Sequence, residues 1–186
     1  ARNPDDQDIL AAYGKALVEI GQFDQARGIL SRAHTPDMPS ARVLSAQGVI
    51  ADQTGEHAKA QALYRSALKQ DPHDAVVLTN LGLSLLLSKQ SQEAETILRR
   101  AVTRPQADPR MRETLAFALI INGRSEEAVS VLGVDLPPAQ ARQKINELQQ
   151  SAQGEGLMRA ARTAQFDETA PRRPVSGTGR PSKGQQ

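Results

Sequence analysis

The sequence has no cysteine and no tryptophan, and its aromatic residues are limited to two tyrosines and three phenylalanines among 186 residues. The lack of cysteine excludes disulfides, thiolate metal ligands and thiol nucleophiles. The aromatic residues are too sparse to form the stacking platforms of proteins that bind single-stranded nucleic acid. Because 23 basic residues nearly balance 21 acidic ones, no overall electrostatic field favours nucleic acid either. No apolar run reaches the ~18 residues of a membrane-spanning helix.

Residue patterns for catalysis or phosphate binding are also lacking. The three histidines, His34, His57 and His73, lie at unrelated positions along the chain, so we interpret them as surface or capping residues. Ser66 and Lys69 form an S-x-x-K match, but the partner motifs of hydrolases with that signature are missing. The string GTGRPSKG lacks the G-K-[ST] order of a phosphate loop. We therefore predict a protein that is not an enzyme and uses no cofactor or metal.

What the sequence does have is a 34-residue spacing of small side chains. One set is Ala26, Ala60, Ala94 and Ala128, and the other is Gly14, Gly48, Gly82 and Ala116. Small residues at fixed places allow two helices to approach to the ~8–10 Å of close helix packing. The period therefore predicts an all-α solenoid of helical hairpins stacked on one another.

Each repeat reads as two amphipathic helices joined by a tight turn. In the third repeat, Leu78, Leu81 and Leu85 form one apolar stripe at i, i+3 and i+7. Three repeats end the first helix with a glycine, where a left-handed conformation is least costly. These glycines are Gly21, Gly55 and Gly123. The third repeat has Lys89 instead, a departure that we expect to cost about 1 kcal/mol.

These patterns divide the chain into four repeats followed by a capping helix. The repeats are predicted at 7–40, 41–74, 75–108 and 109–137, and the capping helix at 138–153. A further short helix is expected at 154–166, and a disordered basic tail at 167–186. We interpret the tail as a solubilising terminus, with weak attraction to anionic lipid or nucleic acid as the alternative.

Residues 1–6 precede the first repeat and are interpreted as the end of an upstream helix and its linker. Pro4 lies 34 residues before Met38, so it falls in the linker of the repeat pattern. The sequence does not begin with methionine. We therefore expect that further residues precede Ala1 in the full-length protein.

The first helices of a hairpin array line its concave face, so this face is the predicted binding surface for a protein or peptide segment. Helical periodicity gives these candidate binding residues: Lys15, Arg42, Ser45, Val49, Asp52, Thr79, Leu83, Leu86, Arg110, Glu113, Phe117 and Ile120. We expect a groove that is polar in its N-terminal half and apolar in its C-terminal half. Leu83, Leu86, Phe117 and Ile120 are predicted to form an exposed patch for an amphipathic segment. Packing of these side chains against neighbouring helices is the alternative.

The repeat pattern resembles the tetratricopeptide repeat family across about Gln7–Arg142. This resemblance implies a module that binds peptides or proteins. In one subfamily, Lys, Asn and Arg side chains in the groove hold the C-terminal carboxylate of chaperones. Asn80 matches that Asn, whereas Ala12 and Ala46 occupy the matching positions of the two earlier repeats, which argues against such a clamp.

The second half is similar to the TadD family, the tetratricopeptide proteins of the tight-adherence (Flp) pilus machinery. The likeness is carried mainly by ADPRMRETLAFALIINGRSEEA at 107–128 and DLPPAQARQKINEL at 135–148. It implies a bacterial lipoprotein on the periplasmic face of the outer membrane, which helps to assemble the pilus secretin by binding other subunits. It also implies a lipid-bearing cysteine, which would lie upstream of Ala1 or be absent.

Two other hypotheses stay open on the sequence alone. The first is a generic cytoplasmic repeat adaptor, and the second is a regulatory repeat domain of a larger enzyme. All three hypotheses predict a protein or peptide partner and no nucleic acid. Membrane association is expected only through an upstream lipid anchor.

Overall fold

The computed structural model describes residues 7–33 and 40–152, and the regular structure in these ranges is entirely α-helical. The helices are α1 (Gln7–Glu19), α2 (Phe23–Arg32), α3 (Ala41–Gln53), α4 (His57–Gln70), α5 (Ala75–Leu87), α6 (Ser91–Val102), α7 (Pro109–Ile121), α8 (Ser125–Leu132) and α9 (Pro138–Ala152). The pairs α1–α2, α3–α4, α5–α6 and α7–α8 form hairpins. The prediction of an all-α solenoid with four hairpins and a capping helix is confirmed. The predicted linker at 1–6, short helix at 154–166 and tail at 167–186 lie outside the described residues.

Successive hairpins stack through both of their helices. The second helix of each hairpin packs against the first helix of the next, as in α4 against α5. The first helices are neighbours in the order α1, α3, α5, α7, so they form one continuous face. Helix α9 packs against α7 and α8 and buries Ala141, Ile145 and Leu148, which closes the C-terminal end of the array. Among the described helices, none combines the length and the apolarity that a bilayer crossing needs.

The small residues of the 34-residue spacing lie where the two helices of a hairpin cross. A Cβ atom on Gly48 would lie 2.5 Å from Cε1 of Tyr64, and one on Gly82 would lie 2.5 Å from Cγ of Leu98. The space above each glycine is therefore filled by a side chain of the second helix. The four alanines of the same spacing are fully buried. The predicted role of the small residues at these crossings is confirmed.

The turn inside each hairpin contains one residue with a left-handed backbone. The angle φ is +74° at Gly21, +80° at Gly55 and +77° at Gly123, and it is +60° at Lys89. The four turns are otherwise alike: in the third hairpin, for example, the N–H of Gln90 donates to the carbonyl of Leu85 at 2.8 Å. The lysine therefore adopts a conformation that a glycine would adopt with less strain.

Replacing Lys89 with glycine is expected to raise the free energy of unfolding by about 1 kcal/mol, because the strain of the Cβ atom is removed. The lysine side chain is exposed, so little packing is lost. Urea denaturation followed by circular dichroism measures the change. Lys89→Ala keeps the Cβ atom and should bring no such gain. Equal stability of Lys89→Gly and the wild type would contradict the account.

Polar contacts between successive hairpins repeat with the same 34-residue spacing. Nε2 of Gln61 on α4 donates to Oγ of Ser88 at the end of α5 at 2.9 Å. One repeat later, Nδ2 of Asn122 at the end of α7 donates to Oε2 of Glu95 on α6 at 2.8 Å. The second helix of one hairpin thus binds the C-terminal end of the first helix in the next hairpin. This pairing helps to set the register of the stack.

Two of the first helices begin with an aspartate that caps the backbone. Oδ1 of Asp74 accepts hydrogen bonds from the N–H groups of Val76 and Val77, at 2.9 and 3.0 Å. Oδ1 of Asp108 accepts from the N–H of Met111 at 2.9 Å. Ser40 lies at the same position before α3 with an extended backbone, but its side chain forms no cap hydrogen bond. Caps of this kind contribute about 1 kcal/mol each.

Candidate functional site

An open groove of about 560 Å³ runs along α1, α3 and the first half of α5. Helix α1 contributes Ala11, Ala12, Lys15, Val18 and Glu19, and α3 contributes Ala41, Arg42, Ser45, Ala46 and Val49. The turn before α5 and α5 itself contribute Asp71, Asp74, Val76, Val77 and Asn80. The structure therefore brings together four of the predicted binding residues: Lys15, Arg42, Ser45 and Val49. Their role in binding stays a prediction.

The groove combines small and apolar side chains with charges of both signs. Lys15 and Arg42 are exposed on two first helices that pack against each other. The carboxylates of Asp71 and Asp74 accept hydrogen bonds from nearby backbone N–H groups. Among the described residues, Arg42 has no ion-pair partner. The groove therefore suits an extended polypeptide segment that places a carboxylate or a carbonyl group beside Arg42.

One asparagine and two alanines occupy the equivalent positions of the three helices that line the groove. Asn80 on α5 is nearly buried, while Ala12 on α1 is exposed and Ala46 on α3 is buried. An alanine side chain offers no hydrogen-bond donor to a carboxylate. The three positions that match the Asn of the carboxylate-clamp subfamily thus line the groove. Only Asn80 carries a polar side chain at one of them.

The prediction of an exposed apolar patch in the C-terminal half of the groove is wrong. Leu83, Leu86 and Phe117 are only 3%, 1% and 4% exposed, and Ile120 is half-buried against the core. Helix α5 is apolar on nearly all sides and packs against α3, α4, α6 and α7. A helix of this kind is buried around most of its circumference, and only its N-terminal half lines the groove. These residues belong to the core, as the alternative interpretation held.

The other candidates on α5 and α7 also lie outside the groove lining. The hydroxyl of Thr79 donates to the carbonyl of Ala75 within α5 at 2.7 Å. Glu113 forms an ion pair with Lys144 of α9, with Oε1 and Nζ 2.7 Å apart. Arg110 is partly buried in the first turn of α7. The groove described above takes its lining from the first three hairpins and none of it from α7.

Asp52 was predicted to face the groove, but it lies between the second and third hairpins. It is 4% exposed, and its carboxylate accepts hydrogen bonds from three side chains. Oγ of Ser84 is 2.7 Å away, Nδ1 of His57 is 2.9 Å away and Oη of Tyr64 is 3.2 Å away. The carboxylate thus joins α3, α4 and α5. We refer to Asp52, His57, Tyr64 and Ser84 as the Asp52 network.

Burial raises the pKa of Asp52 above its ordinary value of 3.8, and the hydrogen bonds from His57, Ser84 and Tyr64 offset this rise only in part. A raised pKa means that the folded state binds the proton more tightly than the unfolded state does. The contribution of this carboxyl to stability is therefore largest in acid and is lost as the pH rises through its native pKa. The sequence does contain a signal for the network. Asp52 and Ser84 are polar at positions where the other repeats have apolar residues.

The Asp52 network contains a serine, a histidine and an aspartate, but their hydrogen bonds are not those of a catalytic triad. Ser84 donates to the carboxylate rather than to the imidazole of His57, so it is not activated as a nucleophile. Within residues 7–33 and 40–152, no group of three or more His, Asp or Glu side chains is placed to hold a metal ion. His73 lies in the turn before α5, and His34 lies outside the described residues. The network is a structural link between hairpins.

Comparisons with known proteins agree with this architecture. A tetratricopeptide repeat family model matches residues 12–75, and a second model with the same description matches residues 53–116. The structure of PilF from Pseudomonas aeruginosa has a TM-score of 0.66 and 23% identity, covering 90% of this chain and 78% of that chain. A structure of MamA AMB-1 has a TM-score of 0.64 and 22% identity, covering 87% of this chain and 99% of that chain. No curated protein sequence matches this chain significantly. Identities this low show a shared fold alone.

Proposed function

We propose that this chain, a tetratricopeptide-repeat protein, is a non-catalytic scaffold that binds a segment of another protein in the groove along α1, α3 and α5. The observation that carries the proposal is the groove itself, which is lined by the first helices of three consecutive repeats. Its volume of about 560 Å³ suits a few side chains of an extended or helical segment rather than a whole domain. The exposed Arg42 supplies a charge-assisted contact that orients the segment.

We further propose that the partner is a subunit of the tight-adherence (Flp) pilus and that the chain supports assembly of its outer-membrane secretin, as TadD does. Support comes from the sequence resemblance at 107–128 and 135–148, which correspond to α7, α8 and most of α9. PilF of Pseudomonas aeruginosa shares the fold but too little sequence to transfer a role. In this setting the protein acts in the periplasm at the outer membrane, through a lipid anchor upstream of residue 1. A cytoplasmic adaptor and a regulatory domain of a larger enzyme are the competing settings.

Reversal of charge in the groove tests the binding site. We expect Lys15→Glu combined with Arg42→Glu to weaken binding of the partner at least tenfold, about 1.4 kcal/mol. Titration calorimetry with purified secretin and pilus subunits from the same bacterium gives the affinity. The matched control is Arg142→Glu, which changes an exposed arginine on α9 away from the groove. That variant should bind as the wild type does.

The outcomes separate the site from the biological setting. An unchanged affinity of the groove variant for a subunit that the wild type binds would place the binding surface elsewhere. Absence of binding to every Flp pilus subunit would contradict the pilus assignment and leave the groove to be tested with other proteins. Equal loss of affinity in Arg142→Glu would show a general effect of charge rather than a groove contact.

A further inference from the structure

Helix α1 carries an uncovered apolar face on the side of the array that no described helix packs against. Its large side chains are Ile9, Tyr13 and Ile20, which are 41%, 51% and 67% exposed. Ala16, which is also exposed, lies between them at helical spacing. We call these four residues the outer face of α1. Among the described residues, they include three of the most exposed large apolar side chains.

Most positions equivalent to the outer face of α1 are buried in the later hairpins. The exceptions are polar: Gln47, Ser88 and Asn122 are half-buried and Thr54 is exposed. At the position of Ile9, 34, 68 and 102 residues later, the chain has Val43, Val77 and Met111, and all three are buried. At the position of Tyr13 the third and fourth hairpins have buried Leu81 and Leu115. At the position of Ala16 the later hairpins have Ile50, Ser84 and Ala118, which are also buried. The outer face of α1 thus corresponds to a stacking face of the repeat, and none of the helices in 7–33 and 40–152 covers it.

The contacts in the later hairpins show which element covers such a face. Ser88, which corresponds to Ile20, accepts a hydrogen bond from Gln61 of the preceding second helix. Ser84, which corresponds to Ala16, donates to Asp52 of the preceding hairpin. In the stack, therefore, the preceding hairpin covers these positions, mainly through its second helix.

The residues that lead into α1 carry the sequence of a linker between hairpins. The string ARNPDD at 1–6 aligns, at an offset of 68 residues, with KQDPHD at 69–74, which comprises the last two residues of α4 and the turn that joins it to α5. Pro4 matches Pro72, and Asp6 matches Asp74, the residue that caps α5. The sequence before α1 thus matches the sequence that passes from the second helix of one hairpin to the first helix of the next.

We propose that the outer face of α1 is the docking site of a further helical hairpin of the same polypeptide, joined to α1 through residues 1–6. An intramolecular neighbour pays no translational entropy for association, so a small face is enough to hold it. A second copy of the chain is a poorer occupant, since a stable dimer uses roughly 20–30 residues a side and this face offers four. The added first helix would lie beside α1 and lengthen the groove by one repeat. This inference is independent of the partner that the groove binds.

Hydrogen exchange on the natural full-length chain tests the proposal. The protein expressed from its natural start is compared with residues 1–186 by mass spectrometry of peptides covering α1. We expect amides of α1 to exchange at least tenfold more slowly in the longer chain. The control is the longer chain with Tyr13→Asp and Ile20→Asp, in which this protection should be lost while α5 and α7 stay protected. Equal exchange of α1 in the two wild-type chains would overturn the proposal.

A second measurement uses a hairpin taken from the chain itself. Residues 41–68 are fused directly before Ala1, so that the copy of Gln61 aligns with Ile20 as Gln61 aligns with Ser88. The amides of α1 are expected to exchange more slowly in this fusion than in residues 1–186, and Tyr13→Asp combined with Ile20→Asp in the fusion should remove that protection. Unchanged exchange of α1 in the fusion would overturn the docking geometry. A dimer of residues 1–186 that Tyr13→Asp dissociates in light scattering would assign the face to a second copy and also overturn the proposal.

Discussion

Gly82→Val is expected to lower the free energy of unfolding by about 3 kcal/mol, because the added side chain overpacks a closed helix crossing. A Cβ atom at this position would lie 2.5 Å from Cγ and 2.6 Å from Cδ2 of Leu98. Leu98 is fully buried, and Ala94 on the same helix is also fully buried, so α6 cannot move away without opening the hairpin. Urea denaturation followed by circular dichroism at 222 nm measures the loss. A stability within 1 kcal/mol of the wild type would contradict the close crossing.

A matched glycine elsewhere in a helix provides the control. Gly28 lies within α2, and a Cβ atom there would meet nothing within 4 Å. Gly28→Ala is therefore expected to be neutral or to stabilise the protein by up to about 1 kcal/mol, since alanine favours the helix more than glycine does. Combining Gly82→Ala with Leu98→Ala tests the contact directly. The double variant should be more stable than the sum of the two single losses predicts.

Asp52→Ala is expected to cost about 3 kcal/mol, because it leaves three buried or half-buried donors without their common acceptor. Tyr64 and Ser84 are fully buried, so water does not readily replace the carboxylate. The loss should fall on the boundary between the second and third hairpins, where the Asp52 network joins α3, α4 and α5. Hydrogen exchange should therefore increase most in these helices. Asp24→Ala, at an exposed carboxylate in the first turn of α2, should cost less than about 1 kcal/mol.

The pH dependence of stability tests whether the Asp52 carboxyl titrates differently in the folded and the unfolded chain. The raised pKa of Asp52 predicts that the wild type loses stability relative to Asp52→Asn as the pH rises from 3.8 through the native pKa of this group. Nδ1 of His57 lies 2.9 Å from Oδ1 of Asp52, so the comparison is repeated in a His57→Asn background. Parallel pH profiles of the wild type and Asp52→Asn would show that the carboxyl titrates as it does in the unfolded chain.

The repeat architecture was predictable from the sequence because its determinants are local and periodic. The close contact between Gly82 and the second helix of its hairpin recurs at Gly14 and Gly48, at the same 34-residue interval. The turn conformation was predictable on the same grounds, including the left-handed Lys89. Four copies of one pattern thus provide evidence that a single helix would not.

Side-chain exposure on the first helices was harder to predict, because it depends on neighbouring repeats. Leu83, Leu86 and Phe117 occupy the positions of groove residues by periodicity, but other helices surround α5 and α7. Asp52 was assigned to the groove for the same reason, since its partner Ser84 lies 32 residues further along the chain. Periodicity gives the face of a helix, whereas the degree of burial follows from the number of helices packed around it.

The uncovered outer face of α1 has a consequence for ligand affinity, because α1 also forms one wall of the groove. A helix with support on only part of its circumference opens more readily than a fully enclosed one. A ligand that binds only when α1 is ordered loses affinity if α1 opens readily. A neighbour that covers the opposite side of α1 makes this opening less favourable, so less of the ligand's affinity is lost. For the proposed hairpin and the proposed groove ligand this predicts thermodynamic linkage. A cover on the outer face of α1 raises the affinity of the groove, and a ligand in the groove strengthens the cover by the same factor.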